Sequence, residues 1–544
     1  MTSVKKQSTL VLIAIIVIGA FLRFYKLDWG QGFFSHPDEY HIVASVAQLS
    51  FPTQMHPHFF SYGTVIIYLI YFTQELLKHI SSILNSELLI LNSFLVGRFY
   101  SALFSTLTIF IVYKISKTFM KTKFSLLAAL LTALTPGLIQ QAHFATPEST
   151  LTFFLFGSLL FILKFIELKK IFYLILASIF LGLALGIKIS SIVFLFPLTF
   201  AIIILFLKKP LELIEKTFVS MITIFTVFVL AAPYIFIDNP AFKSSLNYEG
   251  SLAVGNLPVF YTRQFIDTIP VLFQIEKILP YVLGPALVVF GIIGLVMLIV
   301  LSIKKPKLKP IILVVAFLSL FIPNAFLFAK WTRFIAPTFP FFAIFSVFLI
   351  EKLEGKTRFL YRYLAVLLVF ASALWTMAFF SIYTNPDIRI TASDWLRSYA
   401  KEGSTFLVEG GNTVDIPING NFQRISLDFY PLEQDSLTRE KIADALYSSD
   451  YFLVQSRRVF MNHQRLPHLY PKTSYFYDTL FNGELGFEQI KEFHSFPKLA
   501  LGSWKLEVAD ETAEETWSVF DHPVIRVFMK TKQFSKENYE KFLE

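Results

Sequence analysis

Cysteine is absent from this chain of 544 residues, and charge is scarce: Asp, Glu, Lys and Arg make up 16% of it. The first absence excludes disulfides, thiol nucleophiles, iron–sulfur clusters and thiolate zinc sites. The second is far below the roughly one quarter of charged residues carried by an ordinary soluble protein. There is no internal repeat, no low-complexity tract, and no arginine-rich helix or aromatic-laced basic stripe of the kind that suits a nucleic acid. Apolar residues fill the chain instead: 55% are hydrophobic, Phe alone numbering 63, which points to a bilayer as the solvent for most of it.

Apolar runs of crossing length lie at 9–25, 90–113, 122–140, 147–166, 171–187, 190–207, 217–236, 281–303, 310–328, 334–350 and 363–382. Each approaches the roughly 20 residues that a bilayer crossing needs. Lys5 and Lys6 before the first run suggest a signal peptide, but no small-residue cleavage pattern follows, so an uncleaved helix is expected. A further run, 60–80, is better read as a juxtamembrane or re-entrant element. If it does not span, Lys114 to Lys123, Lys169-Lys170, Lys208-Lys209, Lys304 to Lys309 and Lys352 all fall on the side of the N-terminus. That is the positive-inside pattern. The expected fold class is therefore a polytopic α-helical bundle of about 11–13 spans with a C-terminal soluble α/β domain. The bundle would cover 1–384, with outer loops at 26–89 and 238–280, and the domain 385–544. The N-terminus would be cytoplasmic and the domain extracytoplasmic, in a multi-pass protein of the cell membrane.

The tail is read as α/β because short apolar runs, Thr405–Val408 and Tyr451–Val454, follow segments with helix signals near 393–402 and 438–447. No phosphate-binding glycine loop or catalytic set stands out in it.

Polar residues at the outer ends of the spans carry the chemistry. Asp38 and Glu39 follow Pro37 in an aromatic stretch. As structure alone, that is a helix start with acids favoured by the helix dipole. As chemistry, a carboxylate held by the fold takes a proton from an acceptor hydroxyl. Adjacent helical residues point about 100° apart, so one acid faces a cavity while the other supports the helix; Asp38 is expected to be the base. Glu148, after Pro147, is either a helix cap or a functional acid at bilayer depth. His143 in the same turn reads as a hydrogen-bonding residue and not as a metal ligand. Lys188 interrupts a long apolar stretch, either snorkelling to the interface or contacting phosphate. Arg333 lies on the same outer side, and an arginine fork beside a lysine point charge suits an anionic lipid head group.

The order of these residues resembles the polytopic, lipid-linked-sugar glycosyltransferases of the GT-C fold. Within them it is closest to the protein-mannosyltransferase and aminoarabinose-transferase group, akin to glycosyltransferase family 39. The matching elements are Asp38-Glu39, Ser61-Tyr62-Gly63, the turn His143 to Glu148, Gly182-x-x-x-Gly186-x-Lys188, Arg333 before Pro337, and the ending Ala513 to Pro523. The resemblance implies an inverting transfer from a polyprenyl-phosphate-linked sugar to an acceptor hydroxyl or amine on a glycan, lipid or protein at the outer face. It implies catalytic roles for Asp38, Glu39 and Glu148, donor-phosphate binding by Lys188 and Arg333, and a substrate cavity lined by His36, Tyr62 and His143. Glu148 departs from the family, where Asp is usual. Some relatives bind a divalent metal, but the spacing of His36, His41, His56 and His58 is not diagnostic, and no metal or other cofactor is expected. Membrane lipids are expected partners; nucleic acid is not. Two other classes fit the composition: a transporter or flippase for a lipid or small anion, and a membrane-anchored assembly or binding protein acting through its tail.

Overall fold

The computed structural model describes residues 2–84, 92–354, 358–410 and 415–544. The end of the expected first outer loop, 85–89, and the first residues of the run 90–113 lie outside the described residues. The chain divides into two compact units. One comprises Met1–Leu27, Asp38–Asn256 and Ile269–Met377, the other Asp28–Pro37, Leu257–Thr268 and Ala378–Glu544.

The first unit is helical. In chain order it has α1 (Thr2–Phe24), α2 (Pro37–Ala47), α3 (Thr64–Leu84), α4 (Ser93–Ser116), α5 (Thr122–Ala133), α6 (Pro136–Ala142), α7 (Glu148–Leu168) and α8 (Ile171–Ile187). A 3-10 segment, Ile189–Phe194, leads into α9 (Leu195–Phe206), followed by α10 (Pro210–Ala231). Helices Asn239–Val254, Pro285–Lys304, Leu308–Ala325, Phe339–Glu354 and Arg358–Thr384 complete the series. Among the described residues, nine helical stretches are long and apolar enough to cross a bilayer. The pair α5 and α6, bent by 55° where Pro136 opens the second helix, makes a tenth if the two form one span. The shorter apolar helix α8 matches the remaining run of the sequence. The protein is thus a multi-pass membrane protein. Helix α3 is not among the crossing stretches. It buries Ile66, Ile67, Ile70 and Tyr71 at helical spacing and exposes Phe72, Leu76 and Ile83, the pattern of an element packed on protein along one face only.

Small residues let the helices approach. A Cβ on Gly182 would press on Val227, and one on Gly186 on Ala231, so both glycines seat α8 against α10. Such contacts replace the hydrophobic drive that is lost between helices in lipid. A buried arginine, Arg23, ends α1 and was not singled out from the sequence. Its Nε donates to Ser105 Oγ at 2.8 Å, and its terminal nitrogens to the carbonyls of Gly19, Ala133 and Thr132 at 3.0–3.1 Å. The cation thereby serves carbonyls that the end of α5 leaves without helical partners.

The second unit is built on a five-stranded sheet. Its strands are β1 (Thr405–Gly410), β2 (Gln423–Asp428), β3 (Tyr451–Val454), β4 (Phe487–Phe493) and β7 (Ile525–Lys530), with a separate hairpin of β5 (Lys498–Leu501) and β6 (Trp504–Glu507). The order is β2-β1-β3-β7-β4, parallel across the first three and antiparallel at β7. Alternation along the strands covers both faces. Leu407 and Phe452 pack with Ile442, Leu446 and Phe476 on one side; Phe406, Val408 and Leu453 pack with Ile388, Ala392 and Leu396 on the other. Strands buried on both faces read as unbroken apolar runs, as 405–408 and 451–454 do.

Two loop segments, 28–37 and 257–268, also belong to this unit. Ser35 and His36 meet Phe520, the His36 ring lying 4.2 Å from it. Gln264 is held by Glu514 at 2.8 Å and receives the Glu515 N–H at 3.1 Å, while Phe260 stacks on Tyr430 at 4.2 Å. The ending Ala513–Pro523 is therefore an internal clamp. Behind it, buried His522 lies between Asp521 and Asp510 at 2.5 and 3.0 Å. Burial alone would lower the pKa of this imidazole, but the two carboxylates outweigh it and hold the group up at about 10. An imidazolium favoured in the fold stabilises fully below its ordinary 6.5 and loses that contribution as pH rises through about 10. Proteolytic resistance of the tail should fall between pH 7 and 10 in the wild type. In His522→Asn it should be lower at pH 7 and nearly flat over the same interval.

Candidate active site

Helix α2 starts at Pro37, and its first turn presents Asp38 and Glu39 in different directions. Glu39 turns inward and is fully buried. Its oxygens accept from Arg98 Nε at 2.8 Å and Nη2 at 2.9 Å, and Oε1 also takes the Ala145 N–H at 2.6 Å. Arg98 donates onward to the Leu27 carbonyl at 2.9 Å. One carboxylate thus ties α2, α4, the residues after α1 and the turn 143–147 together. Gly97, next to Arg98, permits the approach, since a Cβ there would overlap Ala145. Arg98 escaped the sequence reading, although an arginine inside the apolar run 90–113 was the signal that could have found it.

Asp38 remains partly exposed, its side chain retaining 18% of its accessible surface. Its Oδ2 accepts from the Tyr62 hydroxyl at 2.8 Å and pairs with Arg333. Arg333 Nη1 lies 3.2 Å from the same hydroxyl. Burial pushes Tyr62 well above its ordinary pKa, so the phenol is a donor to Asp38 at working pH. The guanidinium packs against Trp331 and Phe334, 5.0 and 5.9 Å from their ring centres.

Lys188 reaches the same place from α8. Its Nζ is 5.4 Å from the Tyr62 ring centre, 5.3 Å from that of Phe334 and 3.4 Å from Glu148 Oε1. The backbone explains the convergence. The Gly63 N–H donates to the Ile187 carbonyl at 2.8 Å, just before Lys188, and a Cβ on Gly63 would overlap the Gly186 carbonyl. Thr64 Oγ1 then bonds the Ala231 carbonyl at 2.5 Å. The Tyr62-Gly63 pair and the Gly182-x-x-x-Gly186-x-Lys188 stretch are thus two halves of one joint. Gly63→Ala should cost about 1–3 kcal/mol by forced overlap and lower the thermal midpoint of the purified protein. A change to Ala at exposed Gly250, whose surroundings are open and whose backbone is helical, should lower it much less.

Asp38, Tyr62, Glu148, Lys188 and Arg333 therefore lie together, Glu39 supports them, and His36 packs in the other unit. His143 is buried in the second turn, its ring nitrogens 2.8 Å from the Ile139 carbonyl and 3.0 Å from that of Tyr25. It braces the turn against α1.

Among the described residues no group of three His, Asp or Glu side chains is arranged to hold a metal ion. The loop histidines fit one poorly. His56 Nδ1 accepts the His58 N–H at 2.8 Å, its Nε2 faces Asp238 at 3.1 Å, and the His56 and His58 rings stack at 4.0 Å.

Residues 83–237 match the family described as dolichyl-phosphate-mannose-protein mannosyltransferase. No curated protein matches the chain by sequence. Among solved structures, ArnT from Cupriavidus metallidurans, bound to undecaprenyl phosphate, superposes with a TM-score of 0.52 at 11% identity, over 82% of this chain and 92% of that one. The Archaeoglobus fulgidus oligosaccharyltransferase AglB, in complex with an inhibitory peptide and a dolichol-phosphate, gives 0.51 at 14% identity, over 87% and 72%. The chain therefore shares its fold with these two membrane proteins, and residues 83–237 are similar to the protein-mannosyltransferase family.

Proposed function

We propose that this protein transfers a sugar from a polyprenyl-phosphate carrier to an acceptor hydroxyl or amine at the outer membrane face, with inversion at the anomeric carbon. The observation that carries the reading is the convergence of one partly exposed carboxylate, Asp38, with two cations, Arg333 and Lys188, around Tyr62 and Phe334. The acceptor O–H or N–H gives its proton to Asp38 while its lone pair forms the new bond to the anomeric carbon. The bond from that carbon to the phosphate oxygen breaks, and its electron pair leaves with the phosphate. Preorganised cations are worth most where charge develops, and here Arg333 and Lys188 stabilise the departing phosphate.

Arg333 has two suitors in this arrangement. A donor phosphate competes with Asp38 for the guanidinium, so donor binding frees the carboxylate to act as base. Glu148 holds Lys188 by charge and shapes the acceptor side. The second outer turn braces both through Glu39 and His143. The two outward cations and the positive-inside lysines support an extracytoplasmic site.

The test separates binding from chemistry. Arg333→Lys keeps the charge and loses the fork, so polyprenyl-phosphate binding should weaken roughly 10- to 100-fold, as expected for a charge-assisted hydrogen bond of about 1.5–3 kcal/mol. Unchanged affinity in both Arg333→Lys and Lys188→Met would place the donor elsewhere.

A further inference from the structure

The hairpin of β5 and β6 stands apart from the five-stranded sheet and is amphipathic. Leu499 pairs with Leu506, and Trp504 lies two residues before Leu506, so the three share one face. Lys498 pairs with Glu507 and Ala500 with Lys505 on the other. The apolar face is not covered: Trp504 retains 55% of its accessible surface and Leu506 48%. An isolated two-stranded hairpin is marginal in water, and exposing its largest apolar side chains needs a reason.

The base of the hairpin gives one. The Lys498 N–H donates to Ser381 Oγ at 3.2 Å. Ser381 lies in the last turn of the apolar helix Arg358–Thr384, which is long enough to cross a bilayer. The root of the hairpin is thereby fixed to the end of that helix. At about 3.3 Å per residue, its tip lies roughly 10 Å from that root, a reach comparable with the head-group layer that flanks the hydrocarbon core. Tryptophan prefers that layer, where its ring is apolar and its N–H wet. Lysines on the opposite face suit lipid phosphates and water.

We propose that β5 and β6 form an interfacial anchor: the face of Leu499, Trp504 and Leu506 rests in the lipid leaflet at the C-terminal end of the last span. The second unit is then fastened to the bilayer at a point other than its covalent connections.

The chain has no cysteine, so single spin labels can be placed without background. Trp504→Cys, Leu506→Cys and Lys505→Cys would each be labelled in the full-length protein in lipid vesicles. Relaxation by oxygen, which concentrates in lipid, is compared with relaxation by a water-soluble nickel chelate. Labels at 504 and 506 should respond more to oxygen, and the label at 505 more to nickel. Two independent positions on the apolar face guard against a local distortion by either substitution. Nickel dominance at 504 and 506 would put the face in water, and shielding from both relaxants would put it under protein; either result overturns the anchor.

Discussion

Asp38→Asn should lose transfer while keeping its donor. The substitution leaves the side chain nearly the same shape and able to meet Tyr62, but an amide cannot take a proton. Removing a positioned general base lowers turnover by typically 10²–10⁴-fold, and that is the expected fall in kcat. Affinity for polyprenyl phosphate should hold or rise slightly, because Arg333 no longer has an anionic partner competing with the phosphate. The measurement is turnover beside equilibrium donor binding, for both proteins in lipid. A loss of binding equal to the loss of turnover would make Asp38 a donor-site residue, and unchanged turnover would pass the base to Glu148.

Glu39→Ala should be the more damaging substitution for the protein as a whole. It strands Arg98 without its carboxylate inside the bundle and leaves the Ala145 N–H unserved. Removing one partner of a buried ion pair costs about 3–5 kcal/mol, so the thermal midpoint should drop sharply and yield should fall. Glu39→Gln keeps an acceptor for Ala145 and should fall between the two. Replacing both partners, Glu39→Met with Arg98→Met, should recover part of the stability because no charge is left alone. If Glu39→Ala instead proved stable but inactive, Glu39 would act in the chemistry and not in holding α2 in place.

The contrast between these neighbours explains what the sequence could and could not say. Proline followed by two acids predicts a helix start, and a turn of about 100° per residue predicts that the acids part company. Both expectations describe α2. Which acid meets Arg98 depends on α4, more than fifty positions away in the chain, and no local pattern encodes that. The apolar runs translate directly into helices because a bilayer crossing must satisfy its backbone within one segment. Strands β1 and β3 of the tail are legible for a related reason, being apolar on both faces. The helix preceding β1 starts earlier than its serine suggests, at Ile388, because Asp387 caps it through the Arg389 N–H.

Least legible were the long-range polar contacts. Residues 28–37 and 257–268 sit in loops between spans, yet they pack in the same unit as the C-terminal ending. Ser35, His36 and Gln264 are ordinary loop residues until Phe520, Glu514 and Glu515 are brought beside them. His36, a candidate for the substrate cavity, has its ring against Phe520 within that clamp. Arg23 and Arg98 stood in plain view as cations in apolar helices, but their partners come from other segments. Gly63 and Gly186 were visible as motif residues; only the joint between them shows why no side chain fits at either.

The most direct test of the account is the release of free polyprenyl phosphate by the wild-type protein in lipid. It would be offered a panel of polyprenyl-phospho-sugars with hydroxyl- and amine-bearing acceptors, and the glycosidic bond formed would be examined. The account predicts that one donor in the panel yields free carrier and glycosylated acceptor in equal amounts, with the anomeric configuration inverted. Carrier release with retained configuration would contradict the direct displacement. Tight donor binding with movement of intact donor across the bilayer, and no release, would contradict the transferase itself in favour of a flippase.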